Sequence, residues 1–260
     1  MRLSGNTILI TGGTSGIGLE LATQLAARDN TVIVTGRNAS KLDAVRKSLP
    51  NVHAVESDAS DPTAIVDLYG YVAAHFANLN VLINNAGIMR KIDLHSCGSD
   101  LRDLTREIEI DLNGPIRMTV QFLPLLKAQK TAAVINISSG LAFVPLAISP
   151  IYCAAKAAIH SFTQSLRLQL KDTNVTVFEV APPITETPLF QGDMSLSDVS
   201  VKPMKVAVLV RHALDGIEHD RLEIRPGLAN VLKIAGCVAP NFMVRQLAKP
   251  ADQMFAQARK

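Results

Sequence analysis

The segment Ile8-Leu9-Ile10-Thr11-Gly12-Gly13-Thr14-Ser15-Gly16-Ile17-Gly18 joins a short apolar run to a helix-like segment through a glycine-rich turn. Glycines permit a tight turn and a close approach of the backbone to a ligand, and the free amides at the start of the helix suit a pyrophosphate. The spacing G-x-x-x-G-x-G is a variant of the commoner dinucleotide fingerprint G-x-G-x-x-G. A simple tight loop is the alternative, but the position directly after a first strand favours a nucleotide site.

The same alternation of apolar runs and helical periods continues along the chain. Strands are predicted at 6–11, 31–35, 52–56, 80–84, 132–138, 174–180 and 221–225. Helices are predicted near 16–28, 39–48, 62–77, 100–128, 150–171 and 204–218. Because the strand runs are apolar throughout, both faces of the sheet should be covered. The pattern predicts one α/β domain over residues 1–260, a Rossmann-type doubly wound parallel sheet of about seven strands with helices on both faces. Ligands of such sheets bind at the carboxyl ends of the strands.

Composition narrows the function classes. The chain of 260 residues is 48% hydrophobic and carries a net charge of only +3, which argues against nucleic-acid binding. No apolar run approaches the roughly 20 residues that span a bilayer, and Met1 leads directly into the first strand without a signal pattern. Cys97, Cys153 and Cys237 show no pairing pattern, so we expect reduced thiols and a cytoplasmic location. The histidines lack metal-ligand spacing, and no metal is expected.

The end of the second predicted strand bears on the choice of dinucleotide. It reads Val34-Thr35-Gly36-Arg37, without the Asp or Glu that would bind the ribose hydroxyls of NAD. A guanidinium suits a 2′-phosphate, which a carboxylate would repel. Arg37 could also be an ordinary surface arginine. The missing acid favours NADP(H), with NAD(H) as the alternative.

A second motif carries the candidate chemistry, with Tyr152 thirteen residues after Ser139 and Lys156 four residues further on. Tyrosine has an ordinary pKa of about 10, which a nearby cation lowers. Residues four apart share one face of a helix, and a serine hydroxyl from a neighbouring strand could bind a substrate oxygen beside the phenol. A solvated surface pair is the alternative for Tyr152 and Lys156. Ser138 is the rival serine; only one of the two can face the site, and the spacing favours Ser139.

Together these motifs resemble the short-chain dehydrogenase/reductase family, in its compact branch, over about residues 5–190. The landmarks in order are Thr11–Gly18, Asp58-Ala59, Asn84-Asn85-Ala86-Gly87, Ser139, and Tyr152 with Lys156. More narrowly, the segments Ser138-Ser-Gly-Leu-Ala-Phe and Val180-Ala-Pro-Pro resemble those of DltE-like oxidoreductases.

The resemblance implies roles for matching residues. Tyr152 would be the general acid of reduction or the base of oxidation, and Ser139 would position the carbonyl oxygen. Lys156 would bind the nicotinamide ribose and depress the pKa of the tyrosine, while Asp58 would bind the adenine. The cofactor residues predicted from the turn and the resemblance are Gly12, Thr14, Ser15, Gly16, Ile17, Gly18, Arg37, Asp58, Ala59, Asn85, Ala86, Gly87, Tyr152, Lys156, Pro182, Thr185 and Thr187.

Two positions depart from the family pattern. Asp111 occupies the place of an asparagine that, in the family, kinks the helix and whose backbone carbonyl holds a water that relays protons to the lysine. A backbone role survives this substitution, so Asp111 is kept as a catalytic candidate. Pro182-Pro183 replaces the usual Pro-Gly, which removes an amide donor and stiffens the loop. We expect Pro183 to reshape the pocket rather than to abolish cofactor binding.

The candidate substrate pocket is apolar, although each of its residues could equally be core. The candidates are Ile88, Met89, 141–144, Ile148, Ile184, Leu189 and Phe190. A mobile lid is expected over about 188–218. The apolar tail, about 227–260, is expected to close the pocket or form a subunit interface, with a membrane-surface helix as the alternative.

The sequence therefore predicts an NADP(H)-preferring oxidoreductase that transfers hydride between nicotinamide and an apolar ketone, aldehyde or secondary alcohol. An NAD-linked alcohol dehydrogenase and a catalytically lapsed cofactor-binding regulator are the alternatives, with an isomerase or dehydratase further behind. The resemblance also implies a homodimer or homotetramer, paired through the helices over 100–128 and 150–171.

Overall fold

A seven-stranded parallel sheet forms the centre of the protein. The structure, a computed structural model, describes residues 1–96, 98, 100–191 and 202–258. The strands in chain order are β1 (Thr7–Ile10), β2 (Thr31–Gly36), β3 (Val52–Glu56), β4 (Leu79–Asn84), β5 (Met89–Arg90), β6 (Ala132–Ile137), β7 (Val175–Val180), β8 (Phe190–Gln191) and β9 (Glu223–Ile224). Their order in the sheet is β3-β2-β1-β4-β6-β7-β9, and β5 pairs separately with β8. All seven predicted strands are present, and the doubly wound fold is confirmed.

Helices cover both faces of this sheet. They are α1 (Gly16–Ala26), α2 (Ala39–Ser48), α3 (Pro62–His75), α4 (Leu101–Leu104), α5 (Arg106–Ile108), α6 (Gly114–Lys127), α7 (Pro150–Gln169), α8 (Val206–Glu218), α9 (Leu228–Val238) and α10 (Pro240–Ala258). On one face Leu21 of α1 and Leu214 of α8 share a core with strand residues such as Ile8. On the other, Phe122 of α6 and Leu166 of α7 pack against the opposite side of the same strands.

The predicted helix over 100–128 is interrupted. Between α5 and α6 the chain forms a π-helix over Glu109–Asn113, and α4 is separated from α5 at Thr105. Pro115 explains part of this change, because it has no N–H to donate to the carbonyl of residue 111 in the ordinary α-helical way. The wider turn carries Asp111, whose side chain is fully buried.

The lid predicted over 188–218 extends too far along the chain. Residues 206–218 are α8, and its side chains Leu209, Val210 and Leu214 are completely buried in the core beside α1. A lid could therefore reach at most residue 205, and 192–201 lie outside the described residues. The apolar tail forms α9 and α10. None of the described helices is long and apolar enough to cross a membrane.

Candidate active site

A cavity of about 350 Å³ opens at the carboxyl ends of the strands. All the predicted cofactor residues except Gly18 line it. A Cβ atom on Gly18 would lie 2.4 Å from both Asn85 Nδ2 and the Gly12 carbonyl, so this glycine allows close packing behind the turn. Pro183 also lines the cavity, and its carbonyl accepts a 2.8 Å hydrogen bond from the Thr185 hydroxyl.

The glycine-rich turn is held to β2 by a 2.9 Å hydrogen bond from the Gly13 amide to the Thr35 carbonyl, and the start of α1 follows it. Gly12 and Gly16 have φ values of +65° and +54°, a conformation that glycine adopts without strain. Ser15 caps α1 without a side-chain hydrogen bond to the helix, and the first turn carries no acidic residue. Free amides beside an unopposed helix dipole fit a dinucleotide pyrophosphate. The Asn85 side chain donates to the Thr11 carbonyl at 2.9 Å and so joins this turn to the segment after β4.

Charged side chains lie at the far end of the cavity, where β2 and β3 finish. Arg37 Nη1 is 3.5 Å from Asp58 Oδ2, and both side chains are partly exposed. Burial opposes ionisation of Asp58, but hydrogen bonds from Ser60 and the charge of Arg37 leave its pKa below the ordinary value. Lys41 also lines the cavity, which sequence reasoning missed. Its signal was available: Lys41 follows Arg37 by four residues, in the first turn of α2.

The predicted serine, tyrosine and lysine meet at the centre of the cavity. Tyr152 and Lys156 lie on one face of α7 and are both only 4% exposed, so they are not a solvated surface pair. The Tyr152 hydroxyl is hydrogen-bonded to Ser139. Lys156 Nζ lies 5.6 Å from the centre of the tyrosine ring and donates to the Ile137 carbonyl at 3.2 Å. A substrate oxygen could thus meet two hydroxyls and a nearby cation.

Ser138 also lines the cavity, but its hydroxyl is bonded to a buried carboxylate rather than to Tyr152. Its hydroxyl donates to Glu179 Oε1 at 2.5 Å, and the same carboxylate lies 2.8 Å from His160 Nδ1. Ligating atoms of His160, Glu179 and Glu223 fall within 4.8 Å of one another, a cluster that the sequence spacing did not reveal. Glu223 is already paired with Lys233, at 2.5 Å, and with Arg225. The cluster is therefore best described as a polar network internal to the protein.

Comparisons with known proteins decide the family. A sequence profile of the family described as short chain dehydrogenase matches residues 6–195. The chain belongs to the short-chain dehydrogenase/reductase family. It is also 41% identical over 224 residues to the "Uncharacterized oxidoreductase DltE" of Bacillus subtilis, covering 86% of this chain and 89% of that one. Both the predicted family and the narrower DltE-like resemblance are confirmed, and the chain is an NAD(P)-dependent oxidoreductase of this family.

Solved structures of the family show the same fold. A short chain dehydrogenase from Burkholderia cenocepacia in complex with NADP has a TM-score of 0.81 at 25% identity, covering 95% of this chain and 99% of that one. One from Sphingobium yanoikuyae in complex with NADPH has a TM-score of 0.78 at 26% identity, with coverages of 89% and 93%. One from Burkholderia phymatum in complex with NAD has a TM-score of 0.78 at 19% identity, over 90% and 93%, and shows the fold alone.

Asp111 contributes its side chain to the site, whereas only a backbone role was expected. Its Oδ1 lies 3.0 Å from Lys156 Nζ, and its Oδ2 accepts a 3.3 Å hydrogen bond from the Ile88 amide. Burial raises the pKa of Asp111 to about 6, although the charge of Lys156 acts in the opposite direction. Asp111 does not itself line the cavity; it lies directly behind Lys156.

The expected lowering of the tyrosine pKa is not found. Burial raises the pKa of Tyr152 above its ordinary value, and the negative charge of Asp111 raises it further. The hydrogen bond with Ser139 acts in the opposite direction but does not prevail. The sequence-based expectation considered the charge of Lys156 alone and omitted the carboxylate that is paired with it.

The remaining wall of the cavity is apolar. Of the predicted pocket residues, Ile88, Met89, Leu141, Ile184 and Leu189 line it. Ala142, Phe143, Val144 and Ile148 do not; Val144 and Ile148 are buried in the core, and the Phe143 ring packs edge-on against His160. The Phe190 side chain lies outside the described residues. Leu146, Leu228, Leu232 and Leu247 also line the cavity, the last three from the apolar tail.

Proposed function

We propose that the protein is an NADP(H)-preferring carbonyl reductase that acts on apolar ketones or aldehydes. The observation that carries the proposal is the lining of one cavity. Ser139, Tyr152 and Lys156 lie at its centre, Arg37 and Lys41 at one end, and leucine side chains at the other. One cavity thus offers hydroxyl groups for the substrate carbonyl oxygen, cations for the dinucleotide and apolar side chains for the rest of the substrate.

Proton transfer falls to this chain's own residues. A bound nicotinamide dinucleotide supplies the hydride. The Ser139 hydroxyl and the Tyr152 phenol together hold the substrate carbonyl oxygen, and the phenol donates its proton to that oxygen as negative charge develops. A phenol with the ordinary tyrosine pKa of about 10 is protonated at neutral pH, as a general acid must be. Reduction is the proposed physiological direction because it goes with the proposed preference for NADP(H).

The preference for NADP(H) is supported by charge at the adenosine end. Arg37 and Lys41 both line the cavity there, and the Asn38 side chain caps α2 by accepting a hydrogen bond from the Lys41 amide at 3.0 Å. Two cations beside a helix N-terminus suit the additional phosphate of NADP(H). The Asp58 carboxylate is engaged by Arg37 and Ser60. An NAD-linked alcohol dehydrogenase is the weaker alternative, because β2 ends without an acidic residue.

The proposal extends to the substrate class, the cellular location and the oligomeric state. The leucine and isoleucine wall favours an uncharged apolar carbonyl compound. Ser139, Tyr152 and Lys156 are all present and packed together, which disfavours a lapsed regulator. We further propose a cytoplasmic homo-oligomer paired through α6 and α7, with Cys153 and Cys237 as reduced thiols.

Cofactor binding tests the preference directly. Binding of NADPH and NADH is followed by nicotinamide fluorescence for the wild type, Arg37→Ala and Lys41→Ala, with the exposed Lys47→Ala of α2 as the control. Loss of a charged hydrogen bond should weaken NADPH binding by about 10- to 100-fold in the first two variants. The affinity of Arg37→Ala and Lys41→Ala for NADH should change little. Lys47→Ala should bind both NADPH and NADH as the wild type does. Equal loss of NADH and NADPH binding would contradict the proposed phosphate contact.

A further inference from the structure

The Asp111 carboxylate lies in an unusual place for a charged group. Its side chain is completely buried, and the π-helix over Glu109–Asn113 carries it to within 3.0 Å of Lys156 Nζ. The family resemblance implies an uncharged asparagine at this position. A buried carboxylate needs a compensating partner, and Lys156 is the partner within reach.

The turn after β4 is shaped to admit this carboxylate. A Cβ atom on Gly87 would lie only 2.5 Å from Asp111 Oδ1 and 3.6 Å from Lys156 Nζ. The next residue, Ile88, donates its amide to Asp111 Oδ2. Glycine at position 87 therefore provides the space for the ion pair, in addition to lining the cofactor cavity.

Among the described residues, few other ionisable groups act on Asp111, Lys156 and Tyr152. Cys153, next to Tyr152 on α7, is a thiol whose pKa is raised to about 11 by burial. Lys156 and Tyr152 face Asp111 from α7, and Glu107 faces it from α5. Glu107 is itself fully buried and paired with Arg90 at 2.5 Å. Arg90 also pairs with the Asp103 carboxylate at 2.7 Å, so the charge of Glu107 is matched outside the site.

We propose that Asp111 is a positioning residue that pairs with Lys156 and thereby keeps Tyr152 a protonated phenol, biasing the site towards reduction. The inference rests on the proposed function. An unopposed ammonium would favour the phenolate, which is the base needed for alcohol oxidation. The Asp111 carboxylate offsets that positive charge and adds its own repulsion of a phenolate. Replacing it by a neutral amide leaves the lysine charge unopposed.

The ionisation of Tyr152 can be measured directly by ultraviolet absorbance. The chain contains only three tyrosines and no tryptophan, so few other side chains contribute to the signal. Tyrosinate absorbance is titrated against pH in the wild type and in Asp111→Asn. The contribution of Tyr152 is isolated by subtracting the matching Tyr152→Phe protein in each background. The exposed neighbour Glu109, which pairs with Arg117 outside the site, gives the control variant Glu109→Gln.

The Tyr152 transition should move to lower pH by about one unit or more in Asp111→Asn, and should stay unchanged in Glu109→Gln. A Tyr152 transition at the same pH with and without the Asp111 carboxylate would overturn the proposal. Circular dichroism establishes folding, and Asp111→Ser is the second neutral variant should the Asn protein fail to fold. The titration needs neither substrate nor cofactor, so its outcome is independent of whether the proposed reductase activity is found.

Discussion

Two adjacent serines at the end of β6 have separate tasks. Side chains alternate along an extended chain, so Ser138 and Ser139 face opposite ways. Ser139 contacts the Tyr152 hydroxyl, whereas Ser138 donates to the fully buried Glu179 carboxylate. Ser139 thus has the proposed catalytic role, and Ser138 holds a buried charge that the His160 ring also contacts.

Alanine at each serine should separate these tasks. Ser139→Ala should lower kcat by about 10²- to 10³-fold, because one donor to the developing oxyanion is lost. The Ser139 hydroxyl also accepts a 3.1 Å hydrogen bond from the Leu141 amide, so this variant should in addition lose about 0.5–2 kcal/mol in the free energy of unfolding. Ser138→Ala leaves a buried carboxylate with one donor fewer, and should lower the free energy of unfolding by about 1–3 kcal/mol. Urea denaturation and steady-state kinetics on both variants provide the check. A reversed pattern would assign the catalytic role to Ser138.

For single residues, the sequence predicted the positions that follow from spacing along one strand or helix. It did not predict contacts between side chains that are distant in the sequence. Ser139, Tyr152 and Lys156 were found because a strand end and one helix face determine their positions. The contact between Asp111 and Lys156 joins residues 45 positions apart, through a π-helical turn that no periodicity indicates. The effect of this contact on the pKa of Tyr152 could therefore not be predicted from the spacing of residues.

Elements were predicted well wherever the hydrophobic period is long. The seven main strands and the helices α1, α2, α3, α7 and α8 agree with the predicted ranges to within a few residues. The two-residue strands β5 and β8 are too short to give a period. The break between α5 and α6 gives no signal in the apolar pattern, which continues across it while the backbone widens next to Pro115; only the family resemblance implied a kink at Asp111.

The widened helix depends on a close contact that a methyl group would disturb. A Cβ atom on Gly114 would lie 2.4 Å from the Ala59 carbonyl, whereas one on Gly70 in α3 would meet nothing within 4 Å. Gly114→Ala should therefore destabilise the protein by about 1–3 kcal/mol. Gly70→Ala should stabilise it by up to about 1 kcal/mol, since alanine favours a helix interior. Thermal unfolding compares the two, and similar shifts would contradict the proposed contact.

On the scale of the whole molecule, the tail completes the cavity. Leu232 of α9 and Leu247 of α10 line the cavity, and Gly140, the residue after Ser139, packs against Ala229 and Leu232. The sequence indicated a closing helix without indicating which side chains point inwards. That information depends on how α9 packs over residues 140–144, and only the structure supplies it.

The most direct test of the central claim is NADPH consumption by the purified protein, followed by nicotinamide absorbance with a panel of carbonyl compounds. The wild type should reduce apolar aldehydes or ketones in preference to charged keto acids. Tyr152→Phe should still bind NADPH but lose at least about 10²-fold in kcat, because its general acid is gone. Turnover by Tyr152→Phe at the wild-type rate, or firm NADPH binding by the wild type without reduction of any apolar carbonyl, would contradict the account.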